Sequence, residues 1–287
     1  MSLKDRLSRN EILVAPGIYD GLTAALAAAA GFEALYLSGA AVAYTRLGRP
    51  DIGLTSVTEM ADTMTLIADR VDLPVIIDAD TGFGNALNAQ RTTRLYERAG
   101  ASALQVEDQT YPKRCGHLRD KSLISAGEMA GKVAAMADAR ASDQTLIIAR
   151  TDAIAVEGLN AALDRAEQYL EAGADVLFIE APQSHAQMAK ITATFGRRVP
   201  LLANMVEGGA TPISNAVDLQ AQGFSIAIFP GGIVRAIART AQDYYGSLAK
   251  NGSNRPFADQ MFDFDGLNEV IGTADMLAKG ADYEHDG

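Results

Sequence analysis

The sequence predicts an α/β fold, a closed (β/α)8 barrel of the TIM type followed by an extra C-terminal helical segment. Eight short apolar runs rich in Val, Ile and Leu recur along the 287 residues, at 12–15, 34–37, 74–77, 103–106, 146–149, 176–179, 201–203 and 226–229. They are continuous rather than alternating, the pattern of parallel strands buried on both faces. Between them lie stretches of helical periodicity, at 86–99, 126–139, 159–172 and 213–222, and three of these stop at a glycine (Gly100, Gly173, Gly223) in the manner of a helix C-cap. Strand starts follow one another at roughly 22 to 43 residues, a spacing of repeated β-then-α units that favours a barrel over a doubly wound sheet.

Past the eighth run the pattern changes. Asn251-Gly252-Ser253-Asn254-Arg255-Pro256 reads as a turn or linker, and an apolar-periodic stretch follows to about Leu277. The domain reading is a barrel over 1–250 and a helical extension of the same domain over 251–287. A barrel is complete before this extension begins, so its apolar residues need a surface, on the same barrel or on a neighbouring subunit.

Composition narrows the function classes. Hydrophobic residues make up 48% of the chain and charged residues 21%, enough for a large core and too little charge for a disordered chain. A net charge of −11 argues against nucleic acid as a partner, which takes a surplus of Lys and Arg, but not against an anionic small molecule held in a locally cationic pocket. The single cysteine, Cys115, rules out an internal disulfide, the first ten residues lack the apolar core of a signal peptide, and no apolar run approaches bilayer length. The expectation is a cytoplasmic protein with no membrane partner.

In a barrel of this kind chemistry collects just after the strands. Following each run onward gives Ser38-Gly39, then Asp78 and Asp80, Glu107-Asp108, Arg150 and Asp152, Glu180, Asn204 and Glu207, and Arg235 beyond the eighth. Each alone has a plainer explanation, because strand ends meet solvent; a ring of them, with both charge signs, points to a site. The densest acidic point is Asp78-Ala79-Asp80-Thr81-Gly82-Phe83-Gly84-Asn85. Alternate residues of an extended segment share a side, so Asp78 and Asp80 converge, and with Glu107 they make an oxygen-rich site of the kind that suits Mg2+. The competing reading is an Asp-rich turn that caps a helix. Zinc is disfavoured, because the only histidines are His117, His185 and His285, without ligand spacing.

The second dense point is Lys113-Arg114-Cys115-Gly116-His117. A lone cysteine is usually a small buried hydrophobe. Here cationic neighbours favour the thiolate and make Cys115 a poised proton donor or nucleophile on a loop able to cover a ligand. Gly231-Gly232 is read as a tight turn that lets a substrate come close in preference to a phosphate nest, and neither this pair nor Gly82-Phe83-Gly84 forms a dinucleotide fingerprint.

Together, Tyr36-Leu37-Ser38-Gly39, the Asp78 to Asn85 stretch, Glu107-Asp108-Gln109, the Lys113 to His117 motif, Ala149-Arg150-Thr151-Asp152 and Ala203-Asn204-Met205-Val206-Glu207-Gly208-Gly209 resemble the isocitrate lyase/phosphoenolpyruvate mutase superfamily. The resemblance implies Mg2+, or Mn2+ in its place, and a 2-hydroxy or 2-oxo carboxylate substrate passing through an enolate-like species. It also implies a homotetramer, a dimer of helix-swapped dimers, which would give the C-terminal helices their burial surface. By the same resemblance, Asp80 binds the ion directly and Asp78, Glu107 and Asp51 through water. Ser38, Gly39, Arg150, Asn204 and Arg235 hold the substrate, Cys115 protonates the departing carbanion, and Lys113, His117 and Glu180 tune the pocket.

The cysteine-containing motif is similar to the lyase branch, including 2-methylisocitrate lyase and 2,3-dimethylmalate lyase. Phe178, Pro230 and Arg235 match the methylisocitrate-cleaving enzymes, and an arginine there would serve a third carboxylate. Pro16-Gly17-Ile18-Tyr19-Asp20 and the Asn204 to Gly209 stretch look more like dimethylmalate lyase and oxaloacetate hydrolase. The reading favoured here is a carbon–carbon lyase cleaving a 2-methylisocitrate-like acid to pyruvate and a second carboxylate. The alternatives are the dimethylmalate and oxaloacetate activities, carboxyphosphonoenolpyruvate phosphonomutase, and a non-catalytic metabolite-binding barrel.

Overall fold

The computed structural model describes residues 1–116, 120–212 and 215–283. The chain divides into two compact units, Met1–Ile233 and Val234–Gly287.

The first unit is a closed barrel of eight parallel strands in chain order: β1 (Leu13–Ile18), β2 (Leu35–Leu37), β3 (Val75–Asp78), β4 (Ala103–Glu107), β5 (Leu146–Thr151), β6 (Val176–Ile179), β7 (Leu201–Asn204) and β8 (Ile226–Phe229). From β2 to β7 every strand residue is buried, on both faces, which is why the sequence shows unbroken apolar runs. In β5, Leu146 and Ile148 join the cluster filling the barrel with Ile76, Phe178 and Ile228, whereas Ile147 and Ala149 join the larger cluster under the helices. The barrel is therefore packed solid, and its other end is stoppered. A short helix α1 (Leu3–Leu7) places Leu3 in the interior cluster, while buried Arg6 pairs with Glu33 at 2.7 Å and donates to the Glu11 carbonyl at 2.9 Å.

The remaining helices of this unit are α2 (Gly21–Ala29), α3 (Gly39–Val42), α4 (Val57–Arg70), α5 (Ala86–Arg98), α6 (Ala126–Ala139), α7 (Leu159–Glu171), α8 (His185–Phe195) and α9 (Ala216–Gln222). Side-chain caps fix where most of them begin: Asp20, Ser56 and Asn85 head capping boxes, and Ser125, Ser184 and Asn215 accept from the first turn. The helix expected over 213–222 starts only after its Asn215 cap, and residues 213 and 214 lie outside the described residues. β1 outruns its expected end, because Pro16 and Gly17, which look like a turn, are paired with Phe229 and Tyr36 in the ladders. Gly17 has to be glycine: a Cβ there would lie 2.2 Å from the Pro230 carbonyl oxygen.

The second unit takes up all but the first residues of α10 (Gly232–Asn251), then a 3-10 turn Arg255–Gln260, α11 (Phe264–Ile271) and α12 (Thr273–Ala281). Tyr244 donates to Asn254 Oδ1 at 2.9 Å and stacks edge-on against Phe257, which pins the turn after α10. Neither α11 nor α12 has a buried residue. Phe264 is 83% exposed and Met276 70%. No helix among the described residues is long and apolar enough to cross a membrane.

Candidate active site

Parallel register brings the C-terminal strand ends to one face of the barrel, and the acidic residues meet there. Asp78 ends β3 in register with Gln105, and Glu107 ends β4 in register with Arg150. The turn after β3 folds back so that the Asp80 carbonyl accepts the Glu107 N–H at 2.9 Å, while Asp78 Oδ1 accepts the Asp80 N–H at 3.1 Å. Asp80 sits at φ 46°, in the left-handed region, and Gly82, Phe83 and Gly84 follow it there. The Asp-rich turn does meet a helix cap, but Asn85 does the capping, and the aspartates are left for the site.

Ser38 and Gly39 come in beside them for different reasons. Ser38 caps α3 by accepting the Ala41 N–H at 3.2 Å, so its hydroxyl is engaged within its own turn. Gly39 donates its N–H to Asp78 Oδ2 at 3.3 Å, and a Cβ at that position would lie 2.9 Å from the same oxygen. The glycine lets the carboxylate approach.

Lys113 reaches into the acidic group. Its ammonium pairs with Asp80 Oδ1 at 2.8 Å and with Asp51. Asp51, Asp78, Asp80, Glu107 and Lys113 are all buried, with the Lys113 ammonium paired to Asp51 and Asp80 and the Arg150 guanidinium beside Glu107. Buried charge of one sign is costly, and the consequences show in the ionisation of each group. Burial, with the Asp78 and Asp51 charges, pushes the Asp80 carboxyl up to about 7 against the opposing pull of Lys113. Burial likewise raises Glu107 well above the carboxylate range, aided by Asp152 and Asp78 and opposed by Arg150 and Lys113. Burial disfavours the Lys113 charge, yet Asp80, Asp51, Asp78 and Glu107 together raise its pKa well above the ordinary value.

These residues fit a hard divalent cation. The donors are all carboxylate oxygens, they are short of positive charge, and Glu107 Oε1 is buried with no hydrogen-bond partner among the described residues. No three of the described His, Cys, Asp and Glu side chains stand close enough together to hold an ion as they are. The Lys113 ammonium occupies the cationic place between Asp51 and Asp80.

Arg150 forms the other half of the site. Its guanidinium lies 5.0 Å above the Phe178 ring at the top of the barrel filling and grips Asp152 through Nε at 2.9 Å and Nη2 at 3.1 Å. It also faces Glu107 Oε2 at 3.3 Å and Glu180 Oε1 at 3.7 Å. Glu180 accepts from Asn204 Nδ2 at 3.1 Å, leaving Asn204 Oδ1 buried without a hydrogen-bond partner among the described residues. Asp152 is held in turn by Lys121 at 2.7 Å and by its own N–H on Asp108 Oδ1 at 2.9 Å.

The loop after β4 closes over this pair. Gln109 pins it by accepting the Arg114 N–H at 3.0 Å and donating to the Arg114 carbonyl at 2.8 Å. Cys115 is partly exposed, with its N–H directed to the Asp51 carbonyl at 3.3 Å. Gly116 comes down on Arg150: a Cβ there would lie 2.1 Å from Nη2 and 2.6 Å from Glu180 Oε1. Beside the loop a cavity of about 710 Å3 is lined in part by the two lysines of the site, Lys113 and Lys121.

Asp51, Asp78, Asp80, Glu107, Lys113, Arg150, Glu180 and Asn204 are thus linked at one end of the barrel, with Cys115 on the loop above them. His117 lies outside the described residues, and Arg235 stands on α10 in the second unit. The Gly231-Gly232 pair makes room for a protein group: Glu207 Oε1 lies 3.1 Å from where a Gly232 Cβ would be. Sequence reasoning missed Lys121, a lysine in a polar loop with nothing to mark it as buried. It also missed Tyr36 and Gln105, joined at 2.5 Å inside the barrel, because both fall within a strand.

A family model described as phosphoenolpyruvate phosphomutase matches residues 3–249. A 2-methylisocitrate lyase of Aeropyrum pernix is 43% identical over 98% of this chain and 89% of its own length. A 2,3-dimethylmalate lyase of Eubacterium barkeri is 39% identical over 99% and 96%. Among solved structures, a 2,3-dimethylmalate lyase superposes with a TM-score of 0.92 at 34% identity, covering 97% of this chain and 93% of that one. A phosphonopyruvate hydrolase in complex with oxalate and Mg++ superposes with a TM-score of 0.88 at 31% identity, covering 98% and 97%. With its closed barrel, its strand-end carboxylates and relatives matching from end to end, the chain belongs to the phosphoenolpyruvate mutase/isocitrate lyase superfamily.

Proposed function

We propose that this chain is a Mg2+-dependent carbon–carbon lyase that cleaves a 2-methylisocitrate-like 2-hydroxy acid to pyruvate and a second carboxylate. The observation that carries the reading is the buried group Asp51, Asp78, Asp80 and Glu107, four carboxylates with a single ammonium, directly beside the Arg150 guanidinium. The names of the relatives support the substrate class, and a related structure holding Mg++ supports the ion. Mn2+ would serve in the same oxygen site.

Asp80 would hold the ion directly, with Asp78, Glu107 and Asp51 around it, and Lys113 would withdraw from Asp80 to admit it. When bound, Mg2+ would stabilise negative charge on the substrate's 2-hydroxyl oxygen. Arg150 would orient a substrate carboxylate, giving up part of its hold on Glu107 and Glu180, with Asn204 and the Ser38-Gly39 segment. A base would take the hydroxyl proton, the electrons left on that oxygen would form the carbonyl of pyruvate, and the pair of the broken C–C bond would stay on the other fragment. Cys115 would then deliver its thiol proton to that carbon, with His117 and Glu180 given the role of tuning the pocket.

The exposed apolar residues of the Val234–Gly287 unit support assembly with further copies, read as a homotetramer of helix-swapped dimers, in a cytoplasmic enzyme. The full-length match to a 2,3-dimethylmalate lyase favours one second reading, a dicarboxylate substrate. Pyruvate release, followed by coupled NADH loss, separates the two. EDTA-sensitive release from 2-methylisocitrate supports the first reading. Pyruvate from 2,3-dimethylmalate, or oxalate from oxaloacetate, with no turnover of 2-methylisocitrate transfers the assignment to the second, and no turnover of any of them overturns the lyase reading.

A further inference from the structure

We infer that Lys132, far from the strand ends in sequence, is a positioning residue that holds the Asp80 turn in its ion-binding conformation. Lys132 lies on α6 among Met129, Val133 and Met136, all buried, at a helix position that the periodicity assigns to the core. Its side chain is 3% exposed and its ammonium donates to the Thr81 carbonyl at 3.1 Å. An ammonium in an apolar layer is costly unless it makes an interaction the fold needs.

What it holds is the residue next to Asp80. The left-handed conformation of Asp80 is one a non-glycine residue keeps only when its surroundings impose it. Three consecutive carbonyls of this turn are tied to three different elements: Asp80 to the Glu107 N–H of β4, Thr81 to Lys132 of α6, and Gly82 to the Thr92 hydroxyl of α5 at 3.2 Å. The first tie is part of the barrel and the third is a neutral hydrogen bond. Lys132 supplies the one charge-assisted bond, and it acts on the peptide that follows the central carboxylate. Hydrogen bonds behind a metal ligand fix its orientation, and losing one typically weakens binding by about 10- to 100-fold.

The inference rests on the proposed metal site, and the test separates the two. Mn2+ binding to the protein without substrate is read from the EPR signal of the free ion, with thermal unfolding as the fold control, in wild type, Lys132→Met and Lys132→Arg. The expected result is a dissociation constant raised about 10-fold or more in K132M, with a melting temperature near wild type, and within about threefold of wild type in K132R. Equal affinity in wild type and K132M overturns the inference alone. Equal losses in K132M and K132R, with lowered melting temperatures, also overturn it and make Lys132 a support of the fold. No Mn2+ binding by wild type overturns both the metal reading and this inference. Should K132M not fold, K132R decides: retained affinity supports the role and a tenfold loss ends it.

Discussion

Gly116 occupies a place where any side chain would strike the Arg150 guanidinium and the Glu180 carboxylate. Replacing it with alanine should lift the loop off the site while leaving the barrel intact. Gly116→Ala is expected to lower kcat/KM by about 10²-fold, the usual cost of misplacing catalytic groups by an ångström, with unfolding in urea unchanged. Near-normal turnover would show that the loop need not approach Arg150. Cys115 is expected to behave differently: Cys115→Ser should cost about 10²-fold in kcat with little change in substrate affinity, because it removes a proton donor and not a contact. A rise in KM at unchanged kcat would take that role away from the thiol.

Asp152 connects ionisation to stability at the same scale. Burial alone would raise its pKa, but the Arg150 and Lys121 charges, with their hydrogen bonds, hold it below the ordinary carboxylate value. A carboxylate depressed in the folded state adds stability above its unfolded pKa, near ~3.9, and loses it as pH falls through the folded value. Asp152→Asn leaves two buried cations without their shared counterion and is expected to cost about 3–5 kcal/mol at pH 7. Since the contribution disappears in acid, the gap between wild type and variant should narrow below about pH 4. Denaturant titrations at pH 7 and pH 3 check this, and a gap of equal size at both would contradict it.

At the scale of elements, barrel closure turns on β1 meeting β8, and just past that ladder the Pro230 backbone leaves no room for a side chain at Gly17. An alanine Cβ would overlap the backbone of Pro230, which has no flexible end to move aside. Gly17→Ala is expected to destabilise the fold by about 3 kcal/mol, at the upper end for overpacking, as a shift in the urea midpoint. Pro16 and Gly17 also show how far the sequence can be read. Strand interiors were legible because burial on both faces leaves an apolar run, and helix ends were legible at Gly100, Gly173 and Gly223, which take the left-handed conformation. The last residues of β1 were not, because Pro and Gly look like a turn until the neighbouring backbone explains them. The site divides the same way. Asp78, Asp80, Glu107 and Arg150 announce themselves as charges directly after apolar runs. Lys121 and Lys132 do not, since a lysine in a loop or helix reads as solvated, and only the fold reveals a buried partner.

For the whole molecule, the Val234–Gly287 unit presents Phe262, Phe264, Met276, Leu277 and Tyr283, large apolar residues left open in a single chain. Apolar surface of this kind fits the proposed assembly with further copies. Sedimentation is expected to show an oligomer, and the double variant Phe264→Asp, Met276→Asp is expected to shift it to smaller species with the circular dichroism of the barrel retained. A wild-type monomer at micromolar concentration would remove the case for assembly through these helices.

Leu3 and the side chains stacked behind it have a kinetic consequence. With the barrel interior packed and Leu3 closing its far end, nothing passes along the barrel axis, and substrate and products have to use the face where the strands end. If the proposed cleavage places one fragment deeper than the other, the outer fragment is expected to leave ahead of the inner one. The two products should therefore be unequal inhibitors: the last to leave competes directly with substrate, and the first to leave does so only by returning to a site still partly filled.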